Sequence, residues 1–227
     1  FRLNFAKCNI TEVLKETHVR FTSLAKQKGL EFTLQVPEKD FYAHVNQEAF
    51  TKIISNLLNN GMKYAESYVH VMLEIPETDD DNLFRIRTVN DGVIIPDEMK
   101  EEIFKPFVRF NEQEDGKVTT GTGIGLALSR SLAELHQGTL AMETGEESNI
   151  FCLTLPVVRD MTITLTPEAE VEIDRVNEIP AEQAGRKDNR PTVLVVEDNP
   201  DMLTFVVRQL SRDYTVLTAT NGAEALK

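Results

Sequence analysis

The sequence of 227 residues contains no tryptophan, only two cysteines and no long hydrophobic run. Cys8 and Cys152 are far apart, match no metal-ligand spacing and lie in apolar surroundings, so we expect two buried thiols in a reducing compartment. No apolar stretch approaches the roughly 20 residues that a membrane-spanning helix needs, and the first residues show no signal-peptide pattern. We therefore expect a soluble polypeptide that makes no direct contact with a membrane.

Basic residues are scarce relative to acidic ones. The chain has 24 Lys and Arg against 37 Asp and Glu, which gives a formal net charge of −13. Surfaces that bind nucleic acid or anionic membranes depend on clustered Lys and Arg, so this composition argues against both kinds of partner. An anionic ligand of this protein must be small and bound at one local site.

The composition also divides the chain into three parts. We expect one domain over residues 1–158, an acidic linker without aromatic residues over 159–190, and the start of a second domain over 191–227. The chain lacks an initiator Met and stops in the middle of a pattern, so we expect both ends to be cuts in a longer protein.

Within the first domain, the spacing of apolar residues predicts helices and strands in alternating blocks. The predicted helices cover residues 9–28, 47–64 and a segment from 124 to Gly138, and the predicted strands cover 30–36, 41–45, 68–75, 83–89, 139–143 and 149–155. Asn9 or Thr11 can cap the first helix, and Gly29 can end it. This order predicts an α/β two-layer sandwich with the helices on one face of a sheet.

A glycine-rich loop precedes the third helix. Gly121, Gly123 and Gly125 alternate and lead into a helix on which Ile124, Leu128, Leu132 and Leu135 share one face. Glycine lets a backbone come close to a ligand, and a helix N-terminus attracts an anion, so the loop has the outline of a phosphate cradle. A plain turn with a helix cap remains the alternative. No Gly-Lys-Ser/Thr follows and no strand precedes, which excludes the P-loop and the dinucleotide fingerprint.

Three polar residues share one face of the second helix. Asn56, Asn60 and Lys63 stand at i, i+4 and i+7, although asparagine is a mediocre helix former. They could form a solvated polar face. They could also bind a nucleotide, with the amide oxygen of Asn60 on Mg²⁺ and the ammonium of Lys63 on a phosphate.

Four segments together resemble the ATP-binding domain of sensor histidine kinases. In order they are the helix at residues 56–64, Asn90-Asp91-Gly92, Ile103-Phe104-Lys105-Pro106-Phe107 and the glycine loop, and they resemble the N, G1, F and G2 boxes of that family. The resemblance covers roughly residues 5–158. It implies a Bergerat-type sandwich in which ATP lies between the Asn-bearing helix and a flexible lid that includes residues 111–116.

The resemblance also implies roles for individual residues. Asn60 would bind Mg²⁺, Asn56 would be its water-mediated neighbour, and Tyr64 would lie against the adenine, although a packed aromatic is an equal reading of Tyr64. Lys63 and Arg109 would contact phosphates, although Arg109 could equally be a surface cation. The other implied nucleotide contacts are the second-box residues Asn90 and Gly92 and the loop residues Gly121, Thr122, Gly123, Gly125 and Leu126.

Two features bear on the reaction. Related ATPases such as gyrase carry a glutamate where this chain has Asn56, and an amide cannot take a proton from water, which favours phosphoryl transfer to a protein group over hydrolysis. In the family the acceptor is a histidine on a dimerisation helix, followed by an acidic residue. The four histidines, His18, His44, His70 and His136, lack that context, so this piece is not expected to autophosphorylate alone; we expect His136 at a helix end, where the dipole favours its charge.

The second box departs from the family pattern Asp-x-Gly-x-Gly. Asn90 replaces the aspartate that reads adenine, and Ile94 replaces the second glycine, so we expect a weaker base contact and a different hinge. Asp91 could take over the role of Asn90 only if the turn shifted by one residue. A degenerate nucleotide module that acts mainly in conformational coupling is therefore the alternative to an active kinase domain.

The C-terminal part resembles the first third of a response-regulator receiver domain. An apolar run at residues 193–196 predicts a buried parallel strand, and Glu197 and Asp198 follow it as the acidic pair that would bind Mg²⁺. The resemblance implies a hybrid sensor kinase that relays phosphate to a receiver aspartate beyond residue 227. Its parent would be a homodimer anchored in the bacterial inner membrane, with these residues on the cytoplasmic side.

Overall fold

A computed structural model describes residues 4–78, 81–108, 110, 123–145, 147–157, 190–197 and, between 203 and 226, residues 203–204, 206–207, 210–211 and 214–226. The chain divides into two compact units. The larger covers residues 3–161, and the smaller covers residues 162–227 together with residues 1–2.

The larger unit contains three helices among its described residues, α1 (Ile10–Lys28), α2 (Gln47–Tyr64) and α3 (Gly125–Leu135). Its strands are β1 (Ala6–Asn9), β2 (Glu31–Gln35), β3 (Tyr42–Val45), β4 (Tyr68–Glu74), β5 (Leu83–Asn90), β6 (Thr139–Thr144) and β7 (Asn149–Pro156). Two short 3₁₀ turns, Asp97–Met99 and Glu102–Phe104, lie between β5 and α3.

The strands form a five-stranded mixed sheet in the order β2-β4-β5-β7-β6, in which only β2 and β4 run parallel. One sheet face is buried against apolar residues of the helices, and its largest fully buried side chains include Phe84, Ile86, Leu140 and Leu153 from the sheet and Phe50, Ile53, Leu57 and Leu58 from α2. Along β4 and β5 buried residues alternate with residues on the opposite face, which are partly exposed. This confirms the predicted α/β two-layer sandwich.

Asparagine side chains cap the first two helices. The Asn9 side-chain oxygen accepts from Glu12 N at 3.2 Å, and Asn46 accepts from Ala49 N at 2.9 Å. Of the two predicted caps for α1, Asn9 is therefore the one used. Gly29 ends α1 with φ +71°, as predicted.

The end of α3 differs from the prediction. The helix stops at Leu135, and Gln137 takes the left-handed conformation with φ 58° that we expected a glycine to supply. Gly138 serves another purpose, because a Cβ there would lie 2.2 Å from the carbonyl oxygen of Thr154 in β7. Leu135 is 50% exposed, so the predicted buried face of α3 ends one turn earlier, at Leu132.

His136 is the C-cap residue of α3, as predicted, but it is buried and its Nε2 accepts a hydrogen bond, so it does not carry the charge that the helix dipole would favour. Asn46 N–H donates to its Nε2 at 3.1 Å, and its Nδ1 donates to the carbonyl oxygen of Leu132 at 2.7 Å. Burial lowers its pKa, although the bond from Nδ1 to the Leu132 carbonyl acts in the opposite direction. His136 therefore joins the C-terminal end of α3 to the N-cap of α2.

Strand β1 was not predicted. It pairs antiparallel with β3 in a separate two-stranded sheet. Its sequence, Ala-Lys-Cys-Asn, has no β-branched or aromatic residue, so only pairing with β3 defines it.

In the smaller unit, β8 (Thr192–Val196) and β9 (Thr215–Ala219) pair in parallel, and α4 (Gly222–Ala225) follows. These positions agree with the predicted strand, second strand and helix start. The expected burial of β8 is wrong, because Leu194 and Val196 are 48% and 45% exposed. A parallel strand is buried only when helices cover both sheet faces, and the described part of this unit provides too few.

Candidate functional site

The last two turns of α2 carry Asn60, Lys63 and Tyr64 close together. The Asn60 side chain is half-buried and makes no hydrogen bond within the described residues. The ammonium of Lys63 donates to the hydroxyl of Tyr64 at 2.8 Å and lies 4.6 Å from the centre of its ring. Tyr64 is 45% exposed, which excludes the reading of a packed core aromatic and leaves its ring available to a flat ligand.

Asn56, one turn before Asn60, connects α2 to the start of α3. Its amide nitrogen donates to the carbonyl oxygen of Gly125 at 3.3 Å and to Ser129 Oγ at 3.1 Å. This bond places the N-terminus of α3 beside the polar face of α2. The predicted role of Asn56 as a water-mediated neighbour of a metal stays a prediction, and the structure adds a positioning role for its nitrogen.

The N-terminus of α3 has no capping side chain among the described residues, unlike those of α1 and α2. Its N-cap residue is Ile124, and the first N–H that bonds back to it is that of Leu128. The amides of Gly125 and Leu126 therefore point out of the helix without an acceptor in it. Such an end attracts anions through its N–H groups and its helix dipole.

Gly123 lies in backbone contact with the end of the F-like segment. Phe107 N–H donates to the carbonyl oxygen of Gly123 at 3.0 Å, and both residues have positive φ, 67° and 71°. A Cβ on Gly123 would lie 3.0 Å from the Phe107 backbone. The third and fourth predicted segments thus meet here, whereas Arg109, Gly121 and Thr122 lie outside the described residues.

The turn after β5 packs against the C-terminal end of α2. Gly92 N–H donates to Asn90 Oδ1 at 3.2 Å, and Asn90 is 3% exposed. A Cβ on Gly92 would lie 2.1 Å from the carbonyl oxygen of Tyr64, so only glycine fits this contact. Ile94, in place of the second glycine, does not adopt a positive φ.

Asp91 does not take the place of Asn90, because its carboxylate binds the connection between α2 and β4. It accepts from the backbone N–H groups of Glu66, Ser67 and Tyr68 at 3.0–3.1 Å and from the Ser67 hydroxyl. Burial opposes ionisation, but the hydrogen bonds from Ser67, Tyr68 and Glu66 outweigh it and lower the pKa of Asp91 to about 2. The turn has therefore not shifted by a residue.

Asn149 is a site residue that sequence reasoning missed. It lies opposite Asn90 at the start of β7 and is 3% exposed. Its nitrogen donates to the carbonyl oxygens of Gly92 and Val93 at 3.3 and 3.0 Å, and its oxygen accepts from Ile95 N at 3.0 Å. The sequence did hold one signal: Asn149 is two residues before Phe151 on the same strand, so the two side chains share the buried face. A polar residue on a buried strand face needs hydrogen-bond partners.

The predicted acidic pair of the smaller unit is only partly described. Glu197 follows β8 and its N–H donates to the carbonyl oxygen of Ala219 at 3.0 Å, whereas Asp198 lies outside the described residues. Across the described parts of both units, no group of three or more His, Cys, Asp or Glu side chains could hold a metal ion. Nor does any helix among the described residues have the length and apolar character to cross a membrane.

Residues 45–159 match the family model of histidine kinase-, DNA gyrase B-, and HSP90-like ATPases. The chain belongs to this family. The matched range contains α2, the Asn90–Ile95 turn, Asn149 and the start of α3, so the geometry above lies within the ATPase domain.

Among curated relatives, the chain is 28% identical to histidine kinase P4 of Formosa agariphila, over 100% of this chain and 18% of that protein. It is 29% identical to the sensor histidine kinase TmoS of Ectopseudomonas mendocina over 99% of this chain, and 29% identical to WalK of Bacillus subtilis over 61%. The chain spans 24% of each of these last two proteins. These matches make the larger unit a sensor histidine kinase catalytic domain.

Solved structures agree on the fold. The catalytic domain of the histidine kinase ThkA superposes with a TM-score of 0.59 at 24% identity, covering 68% of this chain and 96% of that domain. Full-length ShkA in complex with AMPPNP gives 0.58 at 18% identity, covering 100% of this chain and 43% of that one. The domain therefore has the α/β ATP-binding fold of histidine kinases.

Proposed function

We propose that the larger unit binds Mg-ATP and presents its terminal phosphate to a histidine on a dimerisation helix outside residues 1–227. The observation that supports this most directly is the pairing of two features: the uncapped N-terminus of α3 lies beside the Asn60 face of α2, joined by the Asn56 amide. One feature attracts phosphate and the other offers an oxygen and a cation.

The residues fit a nucleoside triphosphate. The amides of Gly125 and Leu126, which have no acceptor within α3, suit phosphate oxygens, and the Lys63 ammonium, although it touches Tyr64, supplies a cation in the last turn of α2. The exposed ring of Tyr64 offers a surface for stacking a base. The Asn90–Ile95 turn, fixed by Asn149, closes the base end of the site.

The residues also fit Mg²⁺ in the form in which it accompanies a nucleotide. Mg²⁺ usually keeps several waters and takes one or two protein oxygens together with phosphate oxygens. The Asn60 amide oxygen accepts no hydrogen bond from a described residue, so it can be such a ligand. When bound, Mg²⁺ would neutralise phosphate charge during transfer.

Phosphoryl transfer to a protein group is favoured over hydrolysis. At the position where related ATPases carry a glutamate, this chain has Asn56, whose amide cannot take a proton from water. Its nitrogen already donates to Gly125 and Ser129. What this chain supplies is position and electrostatics: α3 holds the phosphates, Lys63 balances charge, and the base turn fixes the other end.

We further propose that the whole protein is a homodimeric hybrid kinase, anchored in the inner membrane, whose phosphate passes from the histidine to a receiver aspartate. The match to P4 extends over 100% of this chain and so includes residues 191–227, and the match to EvgS of Escherichia coli extends over 96% of it. The parallel β8–β9 pair, followed directly by Glu197 at the end of β8, is compatible with the start of a receiver with a Glu197–Asp198 Mg²⁺ site.

Calorimetry with a non-hydrolysable ATP analogue, with and without Mg²⁺, tests the binding step. We expect Mg²⁺-dependent binding that Asn60→Ala weakens by about tenfold or more, because the substitution removes a metal ligand. Asn59→Ala is the matched control, since Asn59 is the exposed neighbour on the same helix and should bind as the unmodified chain does.

The absence of binding heat at high analogue concentration would reject this function. It would favour the second candidate, a degenerate module that acts in conformational coupling. The observation behind this candidate is that Asn90 and Ile94 replace the aspartate and the second glycine of the family pattern. Addition of a separately produced dimerisation segment and labelled ATP then tests transfer: label on the segment supports a kinase, and label found only as free phosphate supports a hydrolase.

A further inference from the structure

The end of β5 carries an amide at a position where a carboxylate would behave differently. A carboxylate has two acceptor oxygens, whereas the asparagine amide has one acceptor and one donor group. Asn90 is 3% exposed, so its two terminal atoms have few directions in which to find partners. Which atom faces the site therefore decides what the site can recognise.

The backbone of Gly92 sets the orientation of this amide. Its N–H donates to Asn90 Oδ1 at 3.2 Å. If the amide were turned over, the nitrogen of Asn90 would face the Gly92 N–H, two donors would oppose each other and a buried N–H would lose its acceptor. The oxygen thus points toward Gly92, while the nitrogen, which carries the donors of the amide, donates to no described residue.

Gly92 cannot rotate away to release that oxygen. On one side its Cα lies against Tyr64, since a Cβ there would be 2.1 Å from the Tyr64 carbonyl oxygen. On the other side the amide nitrogen of Asn149 holds the carbonyl oxygens of Gly92 and Val93, and its oxygen holds Ile95 N–H. The turn is fixed from both sides, and with it the orientation of Asn90.

We infer that Asn90 presents an N–H donor to the base and that the site therefore accepts purines with a carbonyl oxygen at C6 at least as well as adenine. This rests on the proposed function, in which the turn faces the base of a nucleoside triphosphate. The amino group at C6 of adenine is a donor and opposes the Asn90 nitrogen, whereas the C6 oxygen of guanine or hypoxanthine accepts from it. An aspartate would accept from the adenine amino group and give the reverse preference.

Calorimetry with non-hydrolysable analogues of ATP, GTP and ITP tests this inference on the unmodified chain and on Asn90→Asp. We expect the unmodified chain to bind the ITP analogue at least as tightly as the ATP analogue, and Asn90→Asp to shift the ratio of the two affinities about tenfold toward ATP. ITP is included because it carries the C6 oxygen without the extra amino group of guanine. Asn59→Asp is the matched control, since it adds the same charge at an exposed position and should leave the ratio unchanged.

A preference of the unmodified chain for ATP over ITP of tenfold or more would overturn the inference, whether or not the variant folds. An unchanged ratio in folded Asn90→Asp would overturn it as well. Failure of the proposed function looks different, because the unmodified chain and both variants would then bind none of the three analogues.

Discussion

Replacement of Asp91 by asparagine tests how the turn between β5 and the nucleotide site is anchored. The carboxylate accepts hydrogen bonds from the backbone N–H groups of Glu66, Ser67 and Tyr68 and from the Ser67 hydroxyl. An amide can keep its oxygen toward the three backbone donors, but it then turns a nitrogen toward the Ser67 hydroxyl and removes the negative charge that strengthens all of these bonds. We expect Asp91→Asn to lower the free energy of unfolding by about 1–3 kcal/mol at neutral pH.

The loss should depend on pH in a defined direction. The pKa of Asp91 falls from 3.8 to about 2 in the folded state. A lowered pKa contributes stability that is present above the unfolded value of 3.8 and is lost as pH falls through about 2. The shift corresponds to roughly 2 kcal/mol, and solvent screening at this partly exposed carboxylate reduces it to about 1 kcal/mol.

Urea unfolding from pH 7 to pH 2 measures both effects. The difference in stability between the unmodified chain and Asp91→Asn should be constant above about pH 5 and shrink by about 1 kcal/mol toward pH 2. Asp81→Asn is the control, because Asp81 is exposed and its side chain accepts a single backbone bond, from Leu83 N. A gap between Asp91→Asn and the unmodified chain that stays the same across the whole range would refute the anchoring role of the ionised carboxylate.

Three further predictions concern residues that hold the site together. Because burial lowers the pKa of His136, its contribution is present above the ordinary value of 6.5 and is lost as pH falls below it; urea unfolding between pH 8 and 5 should show this loss in the unmodified chain and not in His136→Gln. Gly123→Ala should reduce ATP-analogue affinity and stability, because it combines an unfavourable positive φ with a contact at 3.0 Å from the Phe107 backbone. Gly29→Ala is the control: its new Cβ meets nothing within 4 Å, so it should cost only the roughly 1–2 kcal/mol of a left-handed backbone conformation. Equal losses of stability in thermal unfolding would contradict this. Asn149→Ala should weaken analogue binding in calorimetry by about tenfold, because three hydrogen bonds to the Gly92–Ile95 turn are lost, and unchanged affinity would show that the turn holds its shape without them.

The elements with strong periodicity were predictable from the sequence. The bounds of α2 agree with the predicted residues 47–64, because its apolar residues recur at helical spacing and Asn46 caps its start. The prediction failed where a contact distant in sequence overrides a local rule. β1 exists because β3 pairs with it, and His136 is neutral because Asn46, 90 residues away, donates to its ring.

The same limit applies to the site. Asn60 and Lys63 were identified from their spacing on one helix face, which local geometry fixes. The hydrogen bonds from the Asn56 nitrogen to α3 and the side-chain hydrogen bonds of Asn149 join residues more than 50 positions apart, so no local pattern contains them. Whether Asp91 could take over from Asn90 depended on the turn, and the sequence alone left this open. The N–H groups after α2 that donate to Asp91 come near it only when β4 and β5 are paired.

The two departures from the family pattern in the second box are connected through Asn149. A glycine at position 94 would leave the turn free to sample several backbone conformations, whereas Ile94 restricts it and Asn149 holds the carbonyls and N–H around it. A fixed turn gives the Gly92 N–H a fixed direction, and that direction sets which atom of Asn90 faces outward. Restoring the aspartate at position 90 alone should therefore change base preference without loosening the turn, whereas a glycine at position 94 should weaken binding of every base alike.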